Sequence, residues 1–153
     1  MMRVFILLLC LGWGTVSYGQ EDSTSLEIDD IQIDVKAVGL SAKGDTAMVD
    51  LFLMSYTKNP REFKLNTFAS GVVDSQGKPY LYSMMQMGRV KVDVADRQNY
   101  LNYLLEQYEP VLLRIKTGAW QKRWGRPQQV KLSFEDSTEE GKFLEVVVDL
   151  GNR

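Results

Sequence analysis

The chain has 153 residues, and its 18 basic and 20 acidic side chains leave a net charge of −2 at neutral pH. This near balance gives no general electrostatic attraction to nucleic acid or to an anionic membrane, so neither is expected as a partner. The sequence has no histidine and a single cysteine, Cys10. This composition excludes Ser-His and Cys-His catalytic pairs, zinc or copper sites of the usual ligand types, and thiol redox chemistry. No cofactor or metal is expected.

The first 19 residues have the composition of a cleavable signal peptide. Arg3 supplies a positive charge, residues 4–11 are apolar, and small residues follow as far as Gly19. This order predicts cleavage between Gly19 and Gln20, and the apolar run is shorter than the roughly 18 residues of a membrane-spanning helix. Cys10 lies inside that run rather than after a small residue, so lipidation is the less favoured alternative. We expect a periplasmic or secreted protein whose mature chain does not insert into a membrane.

The chain that remains after cleavage has the length of one domain. We predict a polar tether over residues 20–27 and a single domain over residues 28–153. A domain of this size buries about two-thirds of the surface that its unfolded chain exposes. Because Cys10 leaves with the signal peptide, packing and strand pairing alone are expected to stabilise the domain.

Apolar and polar residues alternate at every second position through most of this domain. The first such segment places Ile31, Ile33, Val35 and Ala37 on one face. Similar segments follow, separated by polar and glycine-containing turns, at residues 49–53, 63–67, 90–94, 111–115, 130–134 and 144–150. Such alternation is typical of half-buried β-strands, and short strands at nearly regular spacing are typical of a sandwich or barrel. We predict an all-β fold with seven to nine strands.

Residues 97–108 fit two interpretations. Leu101, Leu104 and Leu105 have the spacing of a helix face, and Asp96 could cap that helix. As a strand, the same segment places Leu101 and Leu105 together on one face. We favour the strand because connections between strands are mostly short.

Four segments in chain order carry a resemblance to a known family: residues 31–38, 45–53, 66–78 with a Val-Asp-Ser-Gln-Gly turn, and 99–111. Together they resemble the immunoglobulin-like domains of bacterial secreted proteins and lipoproteins of uncharacterised function. The resemblance covers most of residues 28–150 and implies an immunoglobulin-like antiparallel β-sandwich. Its motifs mark turns and core positions, so it implies no catalytic residue and no ligand.

Carboxylates remain as a possible catalytic chemistry. The candidates lie at a strand entrance and around the last hairpin: Asp29, Asp30, Asp34, Glu135, Asp136, Glu139 and Glu140. A glycosidase needs two carboxyls facing each other across a cleft, whereas charged groups at turns are usually solvated. A calcium site at Asp29 and Asp30 would lack the spacing of an EF-hand. The Ser75 to Lys78 segment matches S-x-x-K, but we interpret it as a hairpin turn.

The segment from residue 118 to residue 127 is the first candidate partner-binding surface. Two tryptophans alternate there with three cations, namely Trp120, Lys122, Arg123, Trp124 and Arg126. Flat aromatic rings beside cationic donors suit a sugar, an acidic glycan or an acidic loop of a protein. The alternative is that both rings lie on one face of a short helical turn that closes one end of the sandwich. We favour packing for at least one of the two rings and recognition for the three cations.

The second candidate surface is the stretch from residue 80 to residue 87, which is rich in methionine and tyrosine. Its predicted partner-binding residues are Tyr80, Tyr82, Met84, Met85 and Met87. Methionine is common at adaptable binding surfaces, but it also fills irregular cores, and we favour the core here because many apolar residues need burial.

These features predict a secreted, non-catalytic interaction domain that binds a protein or glycan partner in the cell envelope or outside the cell. Binding would use loops at one end of the sandwich or the addition of a strand at its edge. A structural or assembly accessory of a cell-envelope complex is the alternative. A carboxylate-based hydrolase is the third and least favoured hypothesis.

Overall fold

The structure is a computed structural model, and it describes residues 25–151. The predicted signal peptide, its cleavage site and Cys10 lie outside the described residues. Within residues 25–151, no helix is both long and apolar enough to cross a membrane.

The described part of the chain forms twelve strands and two short 3-10 turns. The turns are Val94–Asp96 and Lys122–Trp124. The strands are β1 (Leu26–Ile28), β2 (Ile31–Leu40), β3 (Ala47–Ser55), β4 (Arg61–Asn66), β5 (Gly71–Val73), β6 (Pro79–Tyr80), β7 (Met84–Met87), β8 (Val90–Asp93), β9 (Tyr100–Leu105), β10 (Val111–Thr117), β11 (Gln129–Glu135) and β12 (Phe143–Asp149).

Six strands form the first sheet, in the order β1-β2-β3-β10-β7-β8, and every neighbouring pair is antiparallel. A β-bulge interrupts β2 between Val35 and Ala37. Because an extra residue reverses the inward and outward alternation, Ala37 pairs with Asp50 and is exposed. The prediction that Ala37 shares the buried face of Ile31 was therefore wrong.

The second sheet is organised around β11. One edge of β11 pairs with β12 from Gln129↔Asp149 to Glu135↔Phe143. The other edge is shared by β5 and β4, which lead on to the edge strands β6 and β9. The strand β6 therefore ends one side of this sheet.

Both sheets contribute to one hydrophobic core. Leu51 and Leu53 from the first sheet and Phe63, Leu132 and Phe134 from the second are fully buried within it. The rings of Phe63 and Phe134 pack with centroids 5.1 Å apart. Two antiparallel sheets around a shared core form the arrangement of a β-sandwich, and the predicted all-β class is confirmed.

The predicted number of strands was wrong, since residues 25–151 contain twelve rather than seven to nine. The alternation did not predict β1 or β7. The three residues of β1 are too few to show a period of two, and their position shortens the tether that was predicted to reach residue 27. The methionine-rich segment of β7 was named as a candidate surface, with burial in the core as the favoured interpretation, but it was not predicted to be a strand.

The ambiguous stretch at residues 97–108 contains a strand rather than an α-helix. Tyr100–Leu105 forms β9, which pairs along its whole length with β4. Leu101 and Leu105 are buried, while Leu104, on the opposite face, is 56% exposed. The strand interpretation is confirmed for these six residues.

Three connections meet at one end of the sandwich. The loop between β10 and β11 donates a hydrogen bond from the Trp120 backbone N–H to the Asp45 carbonyl, which lies in the β2–β3 turn (2.9 Å). The same loop accepts a hydrogen bond at the Trp124 carbonyl from Ser75 Oγ, which lies in the β5–β6 turn (3.3 Å). This end therefore brings together segments that are far apart in the sequence.

Candidate functional site

The loop at residues 118–127, called here the Trp loop, is anchored by Trp120. The Trp120 side chain is only 3% exposed and belongs to the hydrophobic core. Its indole Nε1–H donates to the Gly125 carbonyl (2.9 Å). A buried indole that satisfies its own polar group in this way fixes the loop from inside.

The second indole of the loop, Trp124, is half-buried and lies nearer the surface. It ends the 3-10 turn, and the Trp124 backbone N–H donates to the Gln121 carbonyl. Gly125 follows with a positive φ of 72°, a conformation that glycine adopts without steric cost. The rings of Trp120 and Trp124 meet edge to face, with centroids 5.3 Å apart.

Tyr80, on the edge strand β6, contacts both indoles. Its ring centroid lies 4.3 Å from that of Trp124 and 5.2 Å from that of Trp120. Its hydroxyl donates to Asp74 Oδ2 (2.8 Å). Tyr80 is thus held at both ends of its ring, and it extends the aromatic cluster toward the β5–β6 turn.

Asp74 organises that turn, which is called here the Asp74 turn (residues 74–78). Its Oδ1 atom accepts hydrogen bonds from the backbone N–H groups of Gln76 (2.8 Å) and Lys78 (2.9 Å). The hydrogen bond from the Lys78 backbone, together with those from the Tyr80 hydroxyl and the Gln76 backbone, lowers the pKa of Asp74 below its usual value. This carboxylate is therefore ionised, and three donors hold it in place.

A cleft of about 320 Å³ lies between the Trp loop and the Asp74 turn, and it is called here the Trp124 cleft. Its lining residues are Asp74, Gln76, Lys78, Tyr80, Arg123 and Trp124. Lys78 Nζ lies 5.3 Å from the centre of the Tyr80 ring. The arrangement presents an aromatic floor with two cations at its rim, which suits a partner that carries a flat or apolar group beside an anionic one.

The structure separates the three cations that the sequence placed on one surface. Arg123 is exposed and lines the Trp124 cleft. Arg126 instead donates to the Val38 carbonyl of β2 (3.2 Å) and connects the loop to the first sheet. The aliphatic part of Lys122 lies so close to Gly44 that a Cβ there would be 3.0 Å from Lys122 Cε. Of these three cations, only Arg123 lines the cleft.

The methionine and tyrosine stretch is divided by the alternation of β7 and the segment before it. Met85 and Met87 are fully buried, and Tyr82 is 1% exposed, so these three side chains belong to the core and present no surface to a partner. Met84 is half-buried opposite Lys116. Tyr80 alone of the five joins the cleft.

Sequence reasoning missed the contribution of the Asp74 turn. Gln76 and Lys78 line the cleft, yet the S-x-x-K match was interpreted only as a hairpin. The signal that could have found them is their position just before Tyr80, which had been selected independently. The sequence alone could not show that this turn lies beside the Trp loop, because the Ser75–Trp124 hydrogen bond joins two segments that are far apart in the chain.

The candidate catalytic carboxylates do not meet at the cleft. Asp29 is held by an ion pair with Arg61 (2.9 Å) and by a hydrogen bond from Ser137 Oγ (2.7 Å). Burial alone would raise the pKa of Asp29, but these donors outweigh it and the pKa lies below the usual value. Asp136 accepts hydrogen bonds from Thr138 within the last hairpin. Among residues 25–151 there is no group of three or more acidic side chains that could hold a metal ion.

No model of a known protein family matches this chain, and no curated protein matches its sequence significantly. The function proposed below is therefore inferred from the residues of the cleft.

Proposed function

We propose that this protein is a secreted, non-catalytic interaction domain, and that it binds a protein or glycan partner through the Trp124 cleft. The observation that carries the proposal is the contact between Trp124 and Tyr80 beside Lys78 and Arg123, around an open cleft of about 320 Å³. Ligand sites commonly have volumes of about 300–1,000 Å³. The lining of this cleft is mostly polar, and Trp124 and Tyr80 supply its aromatic part.

The shape of the cleft is supported from beneath. The Trp120 indole donates a hydrogen bond to the Gly125 carbonyl, and the Tyr80 hydroxyl donates one to Asp74. Side chains held in this way lose little further freedom when a partner binds, and this lowers the entropic cost of association. In the described residues the Arg123 guanidinium makes no hydrogen bond or ion pair, so its donors face solvent and remain accessible to an anionic group.

Export and an immunoglobulin-like architecture are part of the same proposal. The order of charge, apolar run and small residues in the first 19 positions supports cleavage near Gly19/Gln20 and a periplasmic or extracellular location. Two antiparallel sheets around one core support the immunoglobulin-like interpretation.

A structural accessory of an envelope complex is the second candidate. It is favoured by exposed apolar side chains on the second sheet, away from the cleft. Leu104 is 56% exposed and Val147 is 52% exposed, and the Tyr100 and Phe143 rings stack on each other at 5.7 Å. Contiguous exposed apolar surface marks protein interfaces, and the stacked Tyr100 and Phe143 rings are the contiguous part of this surface.

The hydrolase hypothesis finds little support at the cleft. A glycosidase uses a carboxylic acid of raised pKa and a second carboxylate facing it. Asp74 is the single carboxylate that lines the Trp124 cleft, and its pKa is lowered. Its oxygens are already occupied by three donors from its own turn and from Tyr80.

The proposal can be tested by immobilising the protein and passing an envelope fraction of its source cells over it. Trp124→Ala and Arg123→Gln should each reduce the material retained. Lys58→Gln is the matched control, because Lys58 is an exposed cation just beyond Ser55 at the far end of β3, about 25–30 Å from the Asp45 end by strand geometry. Equal retention by all four proteins would contradict the proposal. Protease and glycosidase treatment of the retained material then identifies its class.

A further inference from the structure

The residues around the edge strand β6 line two hollows. Lys78 and Tyr80 line the Trp124 cleft, whereas Pro79 and Leu81 line a second hollow of about 220 Å³, which Tyr80 also borders. Successive residues of an extended chain point to opposite faces, and here Lys78 belongs to one hollow, Pro79 and Leu81 to the other, and Tyr80 to both. This second space is called here the Gly71 hollow.

The Gly71 hollow differs from the cleft in its apolar character. Phe68 and Leu81 both line it, and they are 46% and 52% exposed. Its cation, Lys131, is already paired with Glu145 (3.0 Å). Gly71 lets the β6 backbone approach closely, because a Cβ there would lie 2.4 Å from the Tyr80 carbonyl oxygen.

The edge of β6 between the two hollows is open. Within residues 25–151, β6 pairs only with β5, through Val72↔Tyr80 and Val73↔Pro79. Asp74 N–H donates to the Lys78 carbonyl (3.0 Å). In an antiparallel ladder such hydrogen bonds recur at every second residue. The backbone N–H and C=O of Tyr80 therefore face β5, and those of Leu81 point away from β5 toward the open edge.

We propose that the β6 edge and its two hollows bind an extended segment of a partner protein, in which acidic and apolar residues alternate. The inference rests on the proposed function and narrows its partner to a protein. An extended segment beside β6 turns successive side chains to opposite faces. Its acidic residues would meet Lys78 and Arg123 at the Trp124 cleft. Its apolar residues would enter the Gly71 hollow between Phe68 and Leu81.

The two hollows together favour a peptide over an acidic glycan. A charged polysaccharide has anionic groups to offer Arg123, but it has no apolar side chain to cover Phe68 and Leu81. Interfaces between proteins combine an apolar anchor in a pocket with charged groups at the rim. The backbone contributes less than in long edge strands, because β6 has only two residues and Pro79 has no N–H to donate.

The inference can be tested by fluorescence anisotropy with two labelled peptides of identical composition. In one, aspartate or glutamate alternates with leucine or phenylalanine; in the other, the acidic residues form one block and the apolar residues another. The alternating peptide should bind about tenfold more tightly, the effect of losing one anchor. The K78Q/R123Q double variant should remove most of the salt dependence of binding. The F68S/L81S double variant should abolish the preference for alternation, and Lys58→Gln should change neither.

Equal affinity for the two peptides, or no measurable binding of either, would overturn the inference. A third probe separates it from the proposed function. If polygalacturonate binds and both peptides fail, the partner is a glycan and only the narrower inference is wrong. If all three probes fail and Trp124→Ala also leaves the retention of envelope material unchanged, the proposed function fails with it.

Discussion

The indole ring of Trp124 lies 4.3 Å from the phenol ring of Tyr80, although the two residues come from the Trp loop and from the edge strand β6. This contact makes one site out of two segments that the sequence presents separately. Trp120 supports the pair from the core, and Asp74 fixes the Tyr80 hydroxyl. Under the proposed function, Trp120 therefore serves packing and Trp124 serves recognition.

The two tryptophans should respond differently to truncation. Trp120→Ala should lower the free energy of unfolding by about 3–5 kcal/mol, because it leaves a cavity in the core. Trp124→Ala should cost less than half as much, since its side chain is already partly exposed. Urea denaturation of both variants measures the difference. Equal losses would show that Trp124 serves packing as much as Trp120 does.

The close approach of β5 and β6 gives a test of how Tyr80 is positioned. Gly71→Ala should destabilise the protein by about 1–3 kcal/mol, because its Cβ would lie 2.4 Å from the Tyr80 carbonyl oxygen. Gly39→Ala is the matched control, since Gly39 also lies in a strand and its Cβ would meet nothing within 4 Å. Thermal unfolding should show a lower Tm for the first variant alone. Similar Tm values for the two variants would contradict the close packing of the β6 backbone against Gly71.

The lowered pKa of Asp74 predicts a dependence of stability on pH. The folded state binds this proton more weakly than the unfolded chain, whose carboxyl titrates near 3.8. The stabilisation is therefore complete well above pH 3.8 and is lost as the pH falls through the folded pKa. Asp29 and Asp136 act in the same direction. In urea titrations, the free energy of unfolding of Asp74→Asn should fall less between pH 5 and pH 3 than that of the wild type. The same dependence on pH in both proteins would rule out a stabilising role for the Asp74 carboxylate.

At the other end of the sandwich, the buried ion pair between Arg61 and Asp29 should be sensitive to the loss of one partner. The Arg61 side chain is 7% exposed and that of Asp29 is 13% exposed. Arg61→Met should cost about 3–5 kcal/mol, because it leaves a carboxylate buried without its cation. Lys91→Gln breaks an exposed pair with Asp93 and should change stability by less than about 1 kcal/mol. Chemical denaturation compares them, and equal effects would refute the distinction.

Local patterns in the sequence predicted most of the strands, because the period of two shows directly which face of a strand is buried. They also identified β9, where Leu101 and Leu105 are buried on one face. Strands of two or three residues, such as β1, are too short to show a period. The Ala37 reversal depends on a bulge that no residue type marks.

The candidate site was predicted only in part, for a related reason. Trp124, Arg123 and Tyr80 were selected for their chemistry, and the structure brings them together. Residue type alone did not show that Arg126 donates a hydrogen bond to the Val38 carbonyl or that Met85 faces the core. Those outcomes depend on which strands become neighbours, and that is set by contacts between distant segments.

The most direct test of the central claim is site-specific cross-linking in intact cells. A photoreactive residue at position 76, in the turn that lines the Trp124 cleft, should form adducts with the partner. The same residue at position 59, an exposed site in the turn after β3, serves as the control. We expect a defined adduct from position 76 that disappears in the Trp124→Ala background, and none from position 59. Equal adducts from both positions, or an adduct at 76 that persists without Trp124, would contradict a binding role for the cleft.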